Sequence, residues 1–287
     1  MSENIIQAYA KVYKLPVSEG NYEWMWLPYK EESLFTQIFT PENQRGTVLL
    51  LHGFFDHTAT NASFMRFLFE KGYQIITFDL PGHGFSGGPR FQVQTFAEYQ
   101  EALRQVMNEV SRRNISQLHA VGHSTGGAII AEAILENKLK QVDKVSLIAP
   151  LLRFNQWWVS KVSTMFLSPF IDEIPRRFRT NKKEASFMQT LKQDPLQGKE
   201  ISFEWVQALI DWESQLMNKT PTEKPIQIIQ GTEDYTVDVD YNLKSYGVLF
   251  PYSDRILIDD GTHHLLNERP PQRNIVYSLI LKYLQRK

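Results

Sequence analysis

Leu118-His119-Ala120-Val121-Gly122-His123-Ser124-Thr125-Gly126-Gly127-Ala128-Ile129-Ile130 is the stretch that decides the fold. A short apolar run enters Gly122-His123-Ser124-Thr125-Gly126, and a helical pattern leaves it without a gap. Gly-x-Ser-x-Gly between a strand and a helix is the pattern of a nucleophile elbow. The serine sits at the tip of a sharp turn, with its hydroxyl projecting from the sheet. Glycine at Gly122 and Gly126 removes side chains that would collide where strand and helix come close.

Outward from this stretch, short apolar runs alternate with longer amphipathic ones. Tyr22 to Leu27 and Leu34 to Phe39 predict two strands, an antiparallel pair joined around Pro28 to Ser33. Thr47 to Leu51 is apolar throughout and predicts a strand buried on both faces. Residues Thr60 to Lys71 predict a helix stopped by Gly72, and Gln74 to Leu80 the next strand. Thr95 to Arg113 predicts a long helix, with Phe96, Tyr99, Leu103, Val106 and Val110 at helical spacing. Leu118 to Val121, a helix over Thr125 to Glu136, and a strand over Lys144 to Ala149 follow. After Pro150 the rhythm breaks for about seventy residues of mainly helical character. It resumes with a strand over Pro225 to Gly231, a helix over Val239 to Leu249, a strand over Arg255 to Asp259 and a closing helix over Gln272 to Leu284. Alternating strand and helix implies parallel βαβ units: an α/β fold with helices on both faces of a mostly parallel sheet. The expected organisation is a core of residues 1–150 and 224–287, with a helical segment, 151–223, inserted into it.

Bulk properties narrow the function. The 287 residues are 42% hydrophobic and 22% charged, the range of an ordinary globular chain. A net charge of -1 gives no argument for nucleic acid. With no cysteine, disulfides, thiolate catalysis and cysteine-bound zinc are excluded. Met1 to Leu15 lacks the apolar core of a signal peptide, and no apolar run approaches the ~20 residues that span a bilayer. The expectation is a cytoplasmic protein, with peripheral membrane contact left open and no obligate protein partner. The seven histidines show no His-Glu-x-x-His, and Gly82 to Gly88 has no Gly-Lys-Ser ending and opens no helix. Neither a metal nor a cofactor is expected.

A serine hydroxyl becomes a nucleophile when a histidine takes its proton and a buried carboxylate holds that histidine. In a strand–elbow–helix setting the order is Ser, then Asp or Glu, then His, each in a loop after a strand. The sequence supplies that order. Gly231-Thr232-Glu233-Asp234-Tyr235 follows one strand, and Asp259-Asp260-Gly261-Thr262-His263-His264 follows another. Each loop offers two adjacent candidates.

With His52-Gly53-Phe54-Phe55-Asp56-His57, Asp79-Leu80-Pro81-Gly82-His83-Gly84-Phe85-Ser86-Gly87-Gly88, the elbow, Gly231-Thr232-Glu233-Asp234 and Gly261-Thr262-His263-His264, the chain resembles the α/β-hydrolase superfamily. Within it, the chain is similar to the monoacylglycerol lipases and bacterial lysophospholipases. The resemblance implies Ser124 as nucleophile, Asp234 as acid and His264 as base, His263 being a polar loop side chain. It implies an oxyanion hole from the backbone N–H groups of Phe54 and Thr125. Thr125 departs from the methionine that many relatives carry. The implied activity is hydrolysis of carboxylic esters through an acyl-enzyme, on single-acyl-chain lipids such as a monoacylglycerol or a lysophospholipid. A small-ester esterase, a thioesterase or a peptidase uses the same scaffold, and a noncatalytic binding protein is the reading from another class.

The resemblance makes the inserted segment a cap over the serine. Its Trp205, Leu209, Trp212 and Leu216 form one helical stripe, either packed on the core or lining an acyl channel. Trp157-Trp158-Val159 to Met165-Phe166-Leu167 reads equally as an interfacial patch or as buried. Arg176, Arg177, Arg179, Lys182 and Lys183 form a basic cluster, a solvated face or an attraction for anionic headgroups.

Overall fold

The computed structural model describes residues 3–17, 20–113, 115, 117–158, 173–175 and 185–286. Its strands are β1 (Gly20–Tyr29), β2 (Glu32–Pro41), β3 (Gly46–Leu51), β4 (Tyr73–Phe78), β5 (Leu118–His123), β6 (Val142–Ile148), β7 (Glu173–Pro175), β8 (Glu200–Ser202), β9 (Gln227–Gly231) and β10 (Asp254–Ile258). Its helices are α1 (Glu3–Val12), α2 (Ala62–Glu70), α3 (Ala97–Ser111), α4 (Thr125–Leu135), α5 (Ala185–Gln193), α6 (Phe203–Met217), α7 (Val239–Leu249) and α8 (Gln272–Leu284).

Eight strands form one sheet in the order β1-β2-β4-β3-β5-β6-β9-β10. The pairs from β4 to β10 are parallel; β2 runs antiparallel to both of its neighbours. The fold class read from the sequence is therefore the observed one. The continuous apolar run of β3 has a direct cause. Side chains alternate across a strand, so Leu49 and Leu51 enter one apolar layer while Val48 and Leu50 enter the other. The first layer is closed by α3, α4 and α6, the second by α1, α2 and α8.

Two features differ from the sequence reading. The N-terminal stretch, read from the sequence only as lacking a signal peptide's apolar core, forms α1. Its buried Ile6, Tyr9 and Ala10 make an i, i+3, i+4 stripe little more than one turn long, which is why the pattern escapes notice. Among the described residues of 151–223 there is a short antiparallel pair, β7 with β8, besides α5 and α6. Three-residue strands are too short for a period-2 signal. All eight strands of the main sheet lie in residues 20–148 and 227–258.

Candidate active site

The elbow is built by close backbone approach. Ser124 has φ 52° and ψ -115°, a region that ordinary side chains avoid and that surrounding contacts must enforce. Those contacts are present. The Ser124 N–H donates to the Ile148 carbonyl at 2.9 Å, and its carbonyl accepts from Ala128 N at 3.0 Å and Leu151 N at 3.1 Å. A Cβ at Gly122 would lie 2.5 Å from the Gly126 carbonyl oxygen, and one at Gly126 would lie 2.5 Å from the Leu51 oxygen. Both glycines are fixed by the turn.

The acid and base loops are pressed together in the same way. A Cβ at Gly231 would meet the Gly261 carbonyl oxygen at 2.3 Å, and Glu233 N donates to that oxygen at 2.8 Å. This contact joins the loop after β9 to the loop after β10. Asp234 is buried and fully engaged. Its Oδ1 accepts from Thr236 N at 2.8 Å and Val237 N at 3.2 Å, and its Oδ2 accepts from Gln230 Nε2 at 2.8 Å. Burial works to raise its carboxyl. The charge and hydrogen bond of His263, with the Gln230 and Thr236 donors, outweigh that and hold it below the usual carboxylate range.

The histidine that meets Asp234 is His263, not His264. His263 Nδ1 lies 2.8 Å from Asp234 Oδ2, and its Nε2 lies 3.0 Å from Ser124 Oγ. The expectation for His264 is corrected by this geometry. Thr262 is anchored through both its N–H, at 2.6 Å, and its hydroxyl, at 2.5 Å, to Glu268 Oε1. That anchor sets the direction of the next residue, so the side chain two positions after Gly261 points into the site. His264 does not join this line; its ring lies edge-on to Phe187 with centroids 5.2 Å apart and 5.6 Å from the His123 ring. Counting from Gly261 therefore runs one residue too far.

Ser124, Asp234 and His263 are thus brought together from three loops. With Nδ1–H donated to Asp234, the His263 Nε2 lone pair accepts from the Ser124 hydroxyl. Thr125 opens α4, where the first N–H groups of a helix have no partner within it, and the positive end of the helix dipole faces the serine. Phe54 follows Gly53, and a Cβ on Gly53 would stand 3.2 Å from Ser124 Cβ, so this loop borders the nucleophile directly. The Phe54 ring stacks on Trp205 at 3.9 Å between centroids.

The remaining loop histidines brace the site. His52 Nδ1 donates to the Gly53 carbonyl at 2.8 Å and its Nε2 accepts from Leu80 N at 3.0 Å. Burial pushes it down to about 3. His83 Nδ1 donates to the Pro81 carbonyl at 2.7 Å. Both hold loops, as their turn positions suggest. His123 Nε2 donates to the His263 carbonyl at 2.9 Å, and burial first, with the neighbouring His263, lowers His123 to about 3.

Sequence reasoning missed three of these supports: Gln230 on Asp234, Glu268 on Thr262, and His123 on the His263 backbone. A second glutamine at the end of the strand Gln227–Gly231, next to the acid loop, is a readable signal for the first. The other two depend on where loops meet in space. The stripe on α6 packs on the core: Trp205 Nε1 donates to Tyr99 Oη at 3.1 Å, Trp212 Nε1 to Glu132 Oε2 at 2.9 Å, and Leu209 and Leu216 are fully buried. In the tryptophan pair, Trp157 is buried and Trp158 is 65% exposed. The continuation, with Met165 and Phe166, and the basic cluster Arg176, Arg177, Arg179, Lys182 and Lys183 lie outside the described residues. Among the described residues, no helix is long and apolar enough to cross a membrane.

Residues 42–270 match the family described as serine aminopeptidase, S33. The chain is 26% identical over 182 residues to the dihydrolipoyllysine-residue acetyltransferase component of the acetoin cleaving system of Cupriavidus necator, covering 60% of this chain and 47% of that one, about half its length. It is 19% identical over 240 residues to phospholipase YtpA of Bacillus subtilis, covering 79% of this chain and 91% of that protein. Its fold superposes with a TM-score of 0.78 on a soluble variant of monoglyceride lipase from Saccharomyces cerevisiae in complex with a substrate analog. That match has 20% identity and covers 94% of this chain and 98% of the other.

Proposed function

The chain belongs to the serine aminopeptidase, S33 family, and from that premise we propose that it is a serine hydrolase cleaving carboxylic esters through an acyl-enzyme. The observation that carries the proposal is the hydrogen-bonded line Ser124 Oγ–His263 Nε2, His263 Nδ1–Asp234 Oδ2, with the serine held at a strained helix start. Ser124 attacks the carbonyl carbon as His263 takes its proton. Asp234 keeps His263 in the useful tautomer and stabilises the imidazolium that forms. The N–H groups of Thr125 and Phe54 receive the oxyanion, where each donor contributes about 100- to 1,000-fold in rate. His263 then gives its proton to the leaving alkoxide, and water repeats the cycle on the acyl-enzyme.

The substrate class we assign is a single-acyl-chain lipid, a monoacylglycerol or a lysophospholipid. Three features support it. Phe54, Phe55, Phe91 and Trp205 set a cluster of aromatic rings beside the oxyanion loop. A phospholipase aligns over most of both chains, and a monoglyceride lipase shares the fold. In this reading the segment 151–223 is a cap over the serine, and exposed Trp158 gives it a point of peripheral contact with a lipid surface. The test is a ladder of p-nitrophenyl esters from acetyl to palmitoyl, alongside monoacylglycerol and lysophosphatidylcholine, with Ser124→Ala as control. Activity that rises with chain length, extends to one lipid and vanishes in the variant is the expected result. Activity confined to acetyl and butyryl esters would replace the lipid with a small ester. The family description favours one second reading, hydrolysis of an N-terminal peptide bond, and aminoacyl arylamides test it in the same assay.

A further inference from the structure

The histidines that are scattered in sequence converge beside the nucleophile. Asp56, from the loop after β3, His123, within the elbow, and His264, after β10, present one donor atom each, all within 4.8 Å of one another. None of the three belongs to the Ser124–His263–Asp234 line. Zinc holds nitrogen and oxygen ligands at about 2.0–2.2 Å, so a tetrahedral site spaces its ligand atoms about 3.4 Å apart. The His123 Nδ1 to Asp56 Oδ2 distance is 3.8 Å, and side-chain shifts of up to about 1.4 Å bring the set, all within 4.8 Å, to that spacing.

Three further observations fit a cation in this corner. His123 donates its Nε2–H to the His263 carbonyl at 2.9 Å, which leaves Nδ1 as a lone pair directed toward Asp56. A ligating imidazole is oriented in this way when its other nitrogen bonds a backbone carbonyl. Asp56 is held from behind, its Oδ1 facing Gln197 Nε2 at 3.4 Å and its Oδ2 facing His123. Gly53 keeps the corner open: a Cβ there would stand 3.1 Å from His123 Nδ1, 3.3 Å from Asp56 Oδ2 and 3.2 Å from Ser124 Cβ. Two imidazoles and one carboxylate are a donor set suited to zinc.

We propose that Asp56, His123 and His264 bind one Zn2+ ion and that its occupation inhibits the enzyme. The inhibitory half rests on the serine-hydrolase reading above. A dication held by His123 stands next to His263, which must carry a positive charge as Ser124 attacks. Like charges at that separation oppose the imidazolium, so kcat falls.

The test uses the full chain freed of metal and titrated with Co2+ alone, then with Zn2+. The expected result is one equivalent of Co2+ with the visible absorption of a tetrahedral ion, displaced by Zn2+. Asp56→Asn and His264→Ala each weaken binding by at least about tenfold, and Gln197→Ala by about tenfold as a supporting residue. His263→Ala retains the Co2+ spectrum, because His123 bonds to the backbone of that residue. Thermal melting of each variant establishes that it is folded. Absence of one-equivalent binding in the wild type overturns the site. So does unchanged affinity in folded Asp56→Asn and His264→Ala, or loss of the spectrum in His263→Ala, which would put the ion on the catalytic histidine. In the activity arm, Zn2+ inhibition of ester hydrolysis is scored against each variant's own metal-free rate. Binding without inhibition overturns the inhibitory half alone. A metal-free wild type that cleaves no ester or amide counts against the hydrolase reading, while the Co2+ spectrum still reports on the site.

Discussion

Among the described residues two buried Asp–His–hydroxyl lines stand out, and the proposed reaction uses one of them. In the first, His263 joins Asp234 at 2.8 Å and Ser124 Oγ at 3.0 Å. In the second, His57 Nε2 joins Asp194 Oδ2 at 2.9 Å and His57 Nδ1 meets Tyr9 Oη at 3.2 Å. Distances and burial are nearly the same. In both, the imidazole holds an aspartate below its usual range against the desolvation that would raise it. The difference lies in the hydroxyl. Ser124 stands at a strained helix start, next to backbone donors that can receive an oxyanion. The Tyr9 phenol is raised well above its ordinary value by burial, and its oxygen already accepts from Ala59 N at 3.1 Å. The second line ties α1, the loop after β3 and the loop after α5 together. A triad is thus recognised by what surrounds the nucleophile, not by its hydrogen bonds alone.

The sharpest way to break the comparison is to remove the two hydroxyls. Ser124→Ala should abolish ester hydrolysis, on the order of 10⁶-fold in kcat, with little change in melting temperature. Tyr9→Phe should do the reverse. Hydrolysis stays within about twofold, while the unpaired Ala59 N–H and His57 Nδ1 lower stability by about 1–3 kcal/mol. Steady-state kinetics and urea unfolding on the same preparations read both effects. A large loss of kcat in Tyr9→Phe would mean that the second line also serves the reaction.

The aspartates should divide in the same way. Asp234→Asn should cost about 10⁴-fold in kcat, because an amide favours the wrong His263 tautomer. Asp194→Asn should instead lower stability by about 1–3 kcal/mol at neutral pH. Its folded carboxyl is depressed, so the stabilisation it gives is complete above the unfolded carboxylate value and is lost as pH falls through the folded one. The variant should therefore show a flatter loss of stability on the acid side. Unfolding at neutral and acid pH checks this; identical slopes would remove the role assigned to Asp194.

The adjacent histidines give a narrower contrast. His263→Ala should reduce kcat at least about 100-fold further than His264→Ala, the contribution of general-base catalysis. Equal losses would return the choice between them to where the sequence left it.

That choice marks the limit of what the sequence reveals. The central strands are legible because burial on two faces leaves uninterrupted apolar runs such as Val48 to Leu51. The nucleophile is legible because its turn demands Gly122 and Gly126. Asp234 is singled out by position within a known pattern. Which of His263 and His264 faces inward depends on Thr262 being anchored to Glu268, six residues on, and no periodicity encodes that contact. The second Asp–His line is equally hidden, since it joins residues 137 positions apart.

A third buried carboxylate completes the comparison and predicts the smallest effect. Glu132, on the helix that leaves the elbow, has no histidine. It accepts from Gln100 Nε2 and Trp212 Nε1, each at 2.9 Å. Lys219, at 3.9 Å, is too distant to offset burial, and the carboxyl is raised, chiefly by desolvation. The sign is opposite to that of Asp194. Stability from Glu132 is complete below the unfolded glutamate value and is lost as pH rises through the raised folded one. Glu132→Gln keeps an acceptor oxygen for both donors and removes the charge. It should match the wild type in acid and exceed it in mild base by about 1 kcal/mol or less. Chemical unfolding at two pH values reads the difference. A variant equal to the wild type in acid but less stable in mild base would show that the charge, not the acceptor, holds α6 to α4.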